Sequence, residues 1–147
     1  MTERQVTTTG FQAFDARIDS IESGKKSKPL GRTPIMSATV MVVADGGENN
    51  LHTHTGSDEI WLILGGEATF YTENDRVVAK LGPQEGIVVP HDTPYWYEST
   101  GSEPLAIIRV GATVPGVFNR RVDLAEPSEL IRQLTEPYRN PPGWSGS

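Results

Sequence analysis

The sequence predicts an all-β chain folded as a sandwich or barrel, and three observations carry that prediction. Runs of β-branched and aromatic residues recur roughly every 8 to 12 residues, the spacing of short strands in a closed β architecture. Gly and Pro punctuate almost every gap between those runs. Only one stretch, near the end of the chain, has the apolar period of a helix.

Taken in order, residues 1–33 have no sustained period and are expected to form an N-terminal arm, with Phe11, Phe14 and Ile18 suited to pack against the domain or a neighbouring subunit. Lys25, Lys26, Lys28 and Arg32 lie in a stretch rich in Gly, Ser and Pro, which predicts a solvated loop. Strand character begins after Pro34 and continues through residues 35–44 until Asp45, Gly46 and Gly47 stop it. Further strands are expected at 51–55, 59–64, 67–72, 77–81, 86–90, 95–99 and 105–110. The turns between them fall at Gly65-Gly66, residues 73–76, Gly82-Pro83, Pro90 to Pro94 and Thr100 to Pro104. Pro127-Ser128 can start a short helix with Leu130, Ile131 and Leu134 on its apolar face, and Pro137 would stop it. The expected organisation is therefore one domain: an arm over 1–33, a barrel over 34–112, and an extension over 113–147 with a short helix and a Pro-rich tail.

A chain of 147 residues can bury a full core without staples. It has no cysteine, which excludes disulfides, thiolate metal sites and cysteine nucleophiles. With no apolar run resembling a signal peptide or a membrane span, the expected setting is cytoplasmic, with no membrane partner. A net charge of −6 argues against a nucleic-acid partner, because phosphate contacts need a basic surface.

The chemistry concentrates between Gly46 and Gly66. His52 and His54 are one residue apart, so in an extended strand both imidazoles point to the same face. After a turn-like gap, Glu59 can begin a second strand that sets Glu59, Trp61 and Ile63 on one face. Two neutral imidazoles and a carboxylate then share one space, the ligand set of a facial triad for a divalent transition metal with positions left open.

These residues resemble the first motif of the cupin superfamily, GxxxxxHxHxxxxExxxxxxG, which is matched at Gly46, His52, His54, Glu59 and Gly66. The resemblance implies a double-stranded β-helix, or jelly-roll barrel, in which His52, His54 and Glu59 correspond to metal ligands. The family's second motif, GxxxxxPxGxxHxxxN, keeps only its proline, here Pro90. Gln84 and Asp92 stand at its two glycines, Tyr95 at the histidine that would supply a further ligand, and Ser99 at its asparagine.

Tyr95 thus has three readings: a phenolate ligand, a hydroxyl beside the metal or substrate that moves a proton, or barrel-core packing. Tyr97 shares its face. Trp61 is either a core aromatic or a cavity wall. Arg109 points into the barrel if Leu105 and Ile107 do, where it could hold a substrate carboxylate in a bidentate contact; a register shifted by one turns it outward. His91, at a turn tip, is either a replacement ligand or a solvent-exposed turn residue.

The functional expectation is a metal-dependent enzyme acting on a small organic molecule, aromatic or carbonyl-containing. Fe(II) is the favoured metal and a non-haem dioxygenase the favoured type. Mn, Zn or Ni would instead support an isomerase, lyase or cyclase. A metal-free barrel that binds a small ligand is the alternative from another class. The arm around Phe11 to Ile18 suggests a homodimer.

Overall fold

Among residues 10–126, which the computed structural model describes, the regular structure consists of ten strands and one 3-10 turn. The strands are β1 (Lys25–Arg32), β2 (Met36–Val43), β3 (His52–His54), β4 (Ser57–Gly65), β5 (Ala68–Tyr71), β6 (Val77–Leu81), β7 (Gly86–Val89), β8 (Trp96–Ser99), β9 (Leu105–Thr113) and β10 (Arg121–Asp123). The expected helix after Pro127 and the Pro-rich tail lie outside the described residues. No helix among the described residues is long and apolar enough to cross a membrane.

The strands stack as two antiparallel layers. One is a five-stranded sheet in the order β1-β2-β9-β4-β7. The other joins the sheets β6-β5-β8 and β10-β3 through a single bridge, in which His52 and Tyr95 exchange backbone hydrogen bonds of 3.1 and 3.0 Å. The chain switches layers at each end of β3, which is the double-stranded β-helix expected from the motif.

Strand β4 shows why the sequence folds this way. Its burial alternates without a break, with Ser57, Glu59, Trp61 and Ile63 inward and Asp58, Ile60, Leu62 and Leu64 outward. At one end of the interior, Ile63, Leu105 and Ile107 are fully buried beside Met41, Val43 and Ala68. Each such aliphatic side chain contributes about 1.5–3 kcal/mol of burial free energy. Next comes an aromatic layer in which Trp61, Phe70, Tyr95 and Tyr97 pack with ring centroids 4.9 to 6.3 Å apart. Beyond that layer the inner wall turns polar.

Two strands were not legible in advance. Lys25–Arg32 is an edge strand paired with β2, not a solvated loop, and a bulge between Pro29 and Gly31 interrupts its register. Its lysines read as loop because an edge strand tolerates charge and Pro where an interior strand does not. Strand β10 has only three residues and pairs with β3, so the sheet structure extends past both expected barrel limits. The arm before β1 is anchored by Gln12, which exchanges two hydrogen bonds with the backbone of Arg32. Asp15 to Ile18 then share a groove with Leu64, Gly65 and Ala106 on the outer face of the larger sheet. Val42 lies opposite Ala106 on that same face and is buried, as is Val40.

Turn conformations explain the glycine pattern of the two motifs. Gly66 has φ +75°, and a Cβ there would come within 2.7 Å of the Pro104 carbonyl oxygen, so both backbone and space demand glycine. Gln84 and Asp92, which stand where the second motif has glycines, also take left-handed backbone, at φ 71° and 60°. The second motif's turns survive although its glycines do not.

Candidate functional site

His52 and His54 sit on β3 with their side chains directed into the barrel, both essentially buried. Their rings meet edge to face with centroids 5.0 Å apart. The backbone carbonyl of Asn50 lies 2.6 Å from His52 Nδ1. A carbonyl can only accept, so Nδ1 carries the proton and Nε2 keeps its lone pair. Burial, reinforced by the charge of Arg121, pushes the His52 pKa down to about 2. Burial also lowers that of His54, against the opposing pull of Glu59. Both rings are neutral, the form that ligates a metal.

Glu59 is 1% exposed and is held by three neighbours. The Tyr95 hydroxyl donates to its Oε2 at 3.0 Å, and Arg109 Nε lies 3.4 Å from the same oxygen. His54 Nε2 lies 3.3 Å from the other oxygen, Oε1, yet Oε1 has no hydrogen-bond partner. Arg109 is therefore inward, as the register through buried Leu105 and Ile107 required, and its side chain is only 11% exposed. Gly111 makes room for it, since a Cβ there would stand 3.0 Å from Arg109 Nη2. Burial, then the adjacent Glu59 carboxylate, raises the Tyr95 pKa well above its usual value, so the phenol is neutral. Trp61 and Tyr97 form the wall behind it, with Trp61 Nε1 and Tyr97 OH buried and unpartnered.

Does this donor set fit a metal ion? Two ligands bonded at about 2.1 Å and set 90° to 109° apart around one ion lie about 3.0–3.4 Å from each other. The 3.3 Å between His54 Nε2 and Glu59 Oε1, with no hydrogen bond between them, is that separation. The chemistry of the donors fits as well, with two neutral imidazoles and a carboxylate. Among the described residues, however, no three such side chains already converge on one position. Arg109 also supplies part of the counter-charge that a buried carboxylate needs. His91 lies outside this centre: its ring and backbone N–H both engage Asp58 at the surface, at 2.8 Å.

Sequence reasoning missed three residues around this centre. Arg121 lies directly opposite His54 across β10 and β3, and Asp123 opposite His52. Asn50 ties them together: its Nδ2 donates to Asp123 Oδ1 at 3.0 Å and its Oδ1 accepts from Arg121 Nη2 at 2.6 Å. A short strand with one apolar residue gives no periodic signal, so neither the pairing nor the clamp on the His52 anchor was readable. Asn50 itself was hidden in a polar, loop-like run.

Comparison with known proteins agrees with this architecture. A model of the Cupin domain family matches residues 39–111. A curated relative, an uncharacterized protein of Methanocaldococcus jannaschii, is 34% identical over 67 residues, covering 46% of this chain and 52% of the relative. The match thus spans about half the length of that relative. Among solved structures, an uncharacterized Klebsiella pneumoniae protein with a double-stranded β-helix domain superposes with TM-score 0.66 at 17% identity, covering 86% of this chain and all of that one. KdgF from Halomonas superposes with TM-score 0.53 at 22% identity over 64% of this chain and 85% of its own. The DMSP lyase DddQ from Ruegeria pomeroyi superposes with TM-score 0.55 at 21% identity over 82% and 59%. Identities this low speak to fold alone. With the motif residues on the inner wall of a jelly roll and the family model laid over its central strands, this chain is a small protein of the cupin superfamily, its cupin domain lying at residues 39–111.

Proposed function

We propose that this protein is a metal-dependent cupin enzyme that carries out acid–base chemistry on a small organic molecule, in the manner of a lyase, isomerase or cyclase. The observation that carries the reading is the His54–Glu59 pair: two buried ligand atoms 3.3 Å apart without a hydrogen bond, beside a neutral phenol. His52, His54 and Glu59 would hold the ion, which when bound supplies a Lewis acid for a substrate oxygen. Tyr95 handles the proton, because its hydroxyl stays protonated at neutral pH and already donates to Glu59. Arg109 orients an acidic group of the substrate, while Trp61 and Tyr97 keep water from the reacting atoms. The cupin-fold neighbour DddQ is a lyase, so the fold accommodates that reaction class.

The second reading is the Fe(II) dioxygenase, favoured by the ligand types alone: two histidines and one carboxylate are the facial set of non-haem iron oxygenases. Metal analysis of the purified protein, followed by loading with Fe(II), Mn(II), Zn(II) or Ni(II), tests both. One ion per chain, lost in Glu59→Gln with folding retained, is expected. Failure of every metal to bind stoichiometrically would remove both readings. Anaerobic Fe(II) loading followed by oxidation separates them: a visible charge-transfer band that vanishes in Tyr95→Phe would make Tyr95 a ligand and take away its proton role.

A homodimer is part of the same proposal. Ile60 and Leu64 are about half exposed and Val88 more so, all on the outward face of β4 and β7, and Phe11 and Phe14 on the arm are exposed as well. A cytoplasmic setting suits a chain without cysteine.

A further inference from the structure

Buried polar atoms without partners on the inner wall are mostly donors. Among the described residues five such atoms make no hydrogen bond: Trp61 Nε1 and Arg109 Nε, the latter in ionic contact with Glu59, can only donate, Tyr97 OH and His54 Nδ1 can donate or accept, and Glu59 Oε1 can only accept. Buried donors left unpaired are costly, so a ligand that reaches this wall is favoured when it brings acceptors.

Charge points the same way. Arg109 on β9 faces inward beside Glu59. Arg121 on β10 shares the face of buried His54. A third cation comes from an unexpected strand. Lys25, at the start of β1, lies directly opposite Val43, and residues paired across antiparallel strands point to the same side. Val43 is fully buried in the core, so Lys25 is directed inward and is half-buried, whereas its neighbour Lys26 is exposed. Burial, followed by the charges of Arg121 and Arg109, lowers the Lys25 amine to about 8, while Glu59 acts in the opposite sense. Lys25, Arg109 and Arg121, from three strands, thus face buried Glu59, while Asp123, exposed at the end of β10, accepts from Arg121 Nε at 3.0 Å. That is one positive charge in excess, in a chain whose net charge is −6.

We propose that the barrel binds a small organic carboxylate between Arg109, Arg121 and Lys25, with Lys25 a binding residue that the sequence motifs do not include. The proposal deepens the enzyme reading by naming the substrate class of that site, but it does not depend on the metal.

Calorimetric titration of metal-free protein, at constant ionic strength, with acetate, succinate, benzoate and phthalate and with the matching neutral amides tests it. At least one carboxylate is expected to bind saturably at one site per chain, with its amide at least tenfold weaker. Lys25→Met should weaken that carboxylate tenfold or more, Lys25→Arg should retain it, and Lys26→Met should leave it unchanged. Equal binding of acid and amide, no saturable carboxylate, or full affinity in Lys25→Met would each overturn the proposal. If Lys25→Met does not fold, Lys25→Gln serves, with the same expectation. The two readings fail separately: Glu59→Gln should lose the metal and keep the carboxylate, and Lys25→Met should lose the carboxylate and keep the metal.

Discussion

Replacing Arg109 by Met asks how the buried carboxylate of Glu59 is stabilised. Arg109 Nε stands 3.4 Å from Glu59 Oε2, and the two side chains are 11% and 1% exposed. At an effective dielectric of about 20 that separation corresponds to roughly 5 kcal/mol of attraction. Relief of the guanidinium's own desolvation offsets part of it, and the Tyr95 hydroxyl still donates to the same oxygen. A net loss of about 3 kcal/mol remains, in line with breaking one side of a buried pair. For a domain of this size that lowers Tm by about 6–12 °C. Thermal and urea unfolding of metal-free protein measure it, and Arg109→Met/Glu59→Gln should be less destabilised than the sum of its single variants. Because a divalent ion would itself balance Glu59, saturating metal should recover much of the loss. A change below about 1 kcal/mol in metal-free Arg109→Met would refute the reasoning, since Glu59 would then be stabilised by something other than this pair.

Two further outcomes are expected. Gln84→Gly should stabilise the protein by about 1 kcal/mol in chemical denaturation, because Gln84 is exposed and takes φ 71°, where a side chain is strained and glycine is not. Sedimentation should show a dimer that Leu62→Glu together with Val88→Glu converts to monomer with the fold intact; a wild-type monomer at high concentration would end that proposal.

The strands could be read ahead of the structure wherever burial alternates cleanly. In β4 the inward Glu59, Trp61 and Ile63 interleave with outward residues, and the period is plain in the sequence. It fails for β1, where the inward residue is Lys25 and charge masks the face. The site was legible along the chain and illegible across it. His52, His54 and Glu59 lie within one motif, and their spacing alone puts them on one wall. Arg109 depended on a register that only Leu105 and Ile107, seen buried, could decide. Arg121, Asp123 and Asn50 meet through pairings between residues some 70 positions apart, which no local pattern encodes. The second motif is the subtler case. The rule that glycine marks a left-handed turn made Gln84 and Asp92 look like departures, yet the backbone there keeps the conformation that glycine would have adopted.

Strand β1 answers to two environments at once. As an edge strand among the described residues it presents exposed Lys26, a Pro29 without an amide proton and a bulge, features that discourage another chain's strand from adding on. One residue away, Lys25 turns from solvent to the interior. The basic run therefore looks uniform in composition while its members do unlike jobs, colloidal protection outside and recognition inside. A change in this segment that preserves overall charge is not for that reason conservative: moving the positive charge by a single position would keep the edge guarded and take one of three cations from the inner wall.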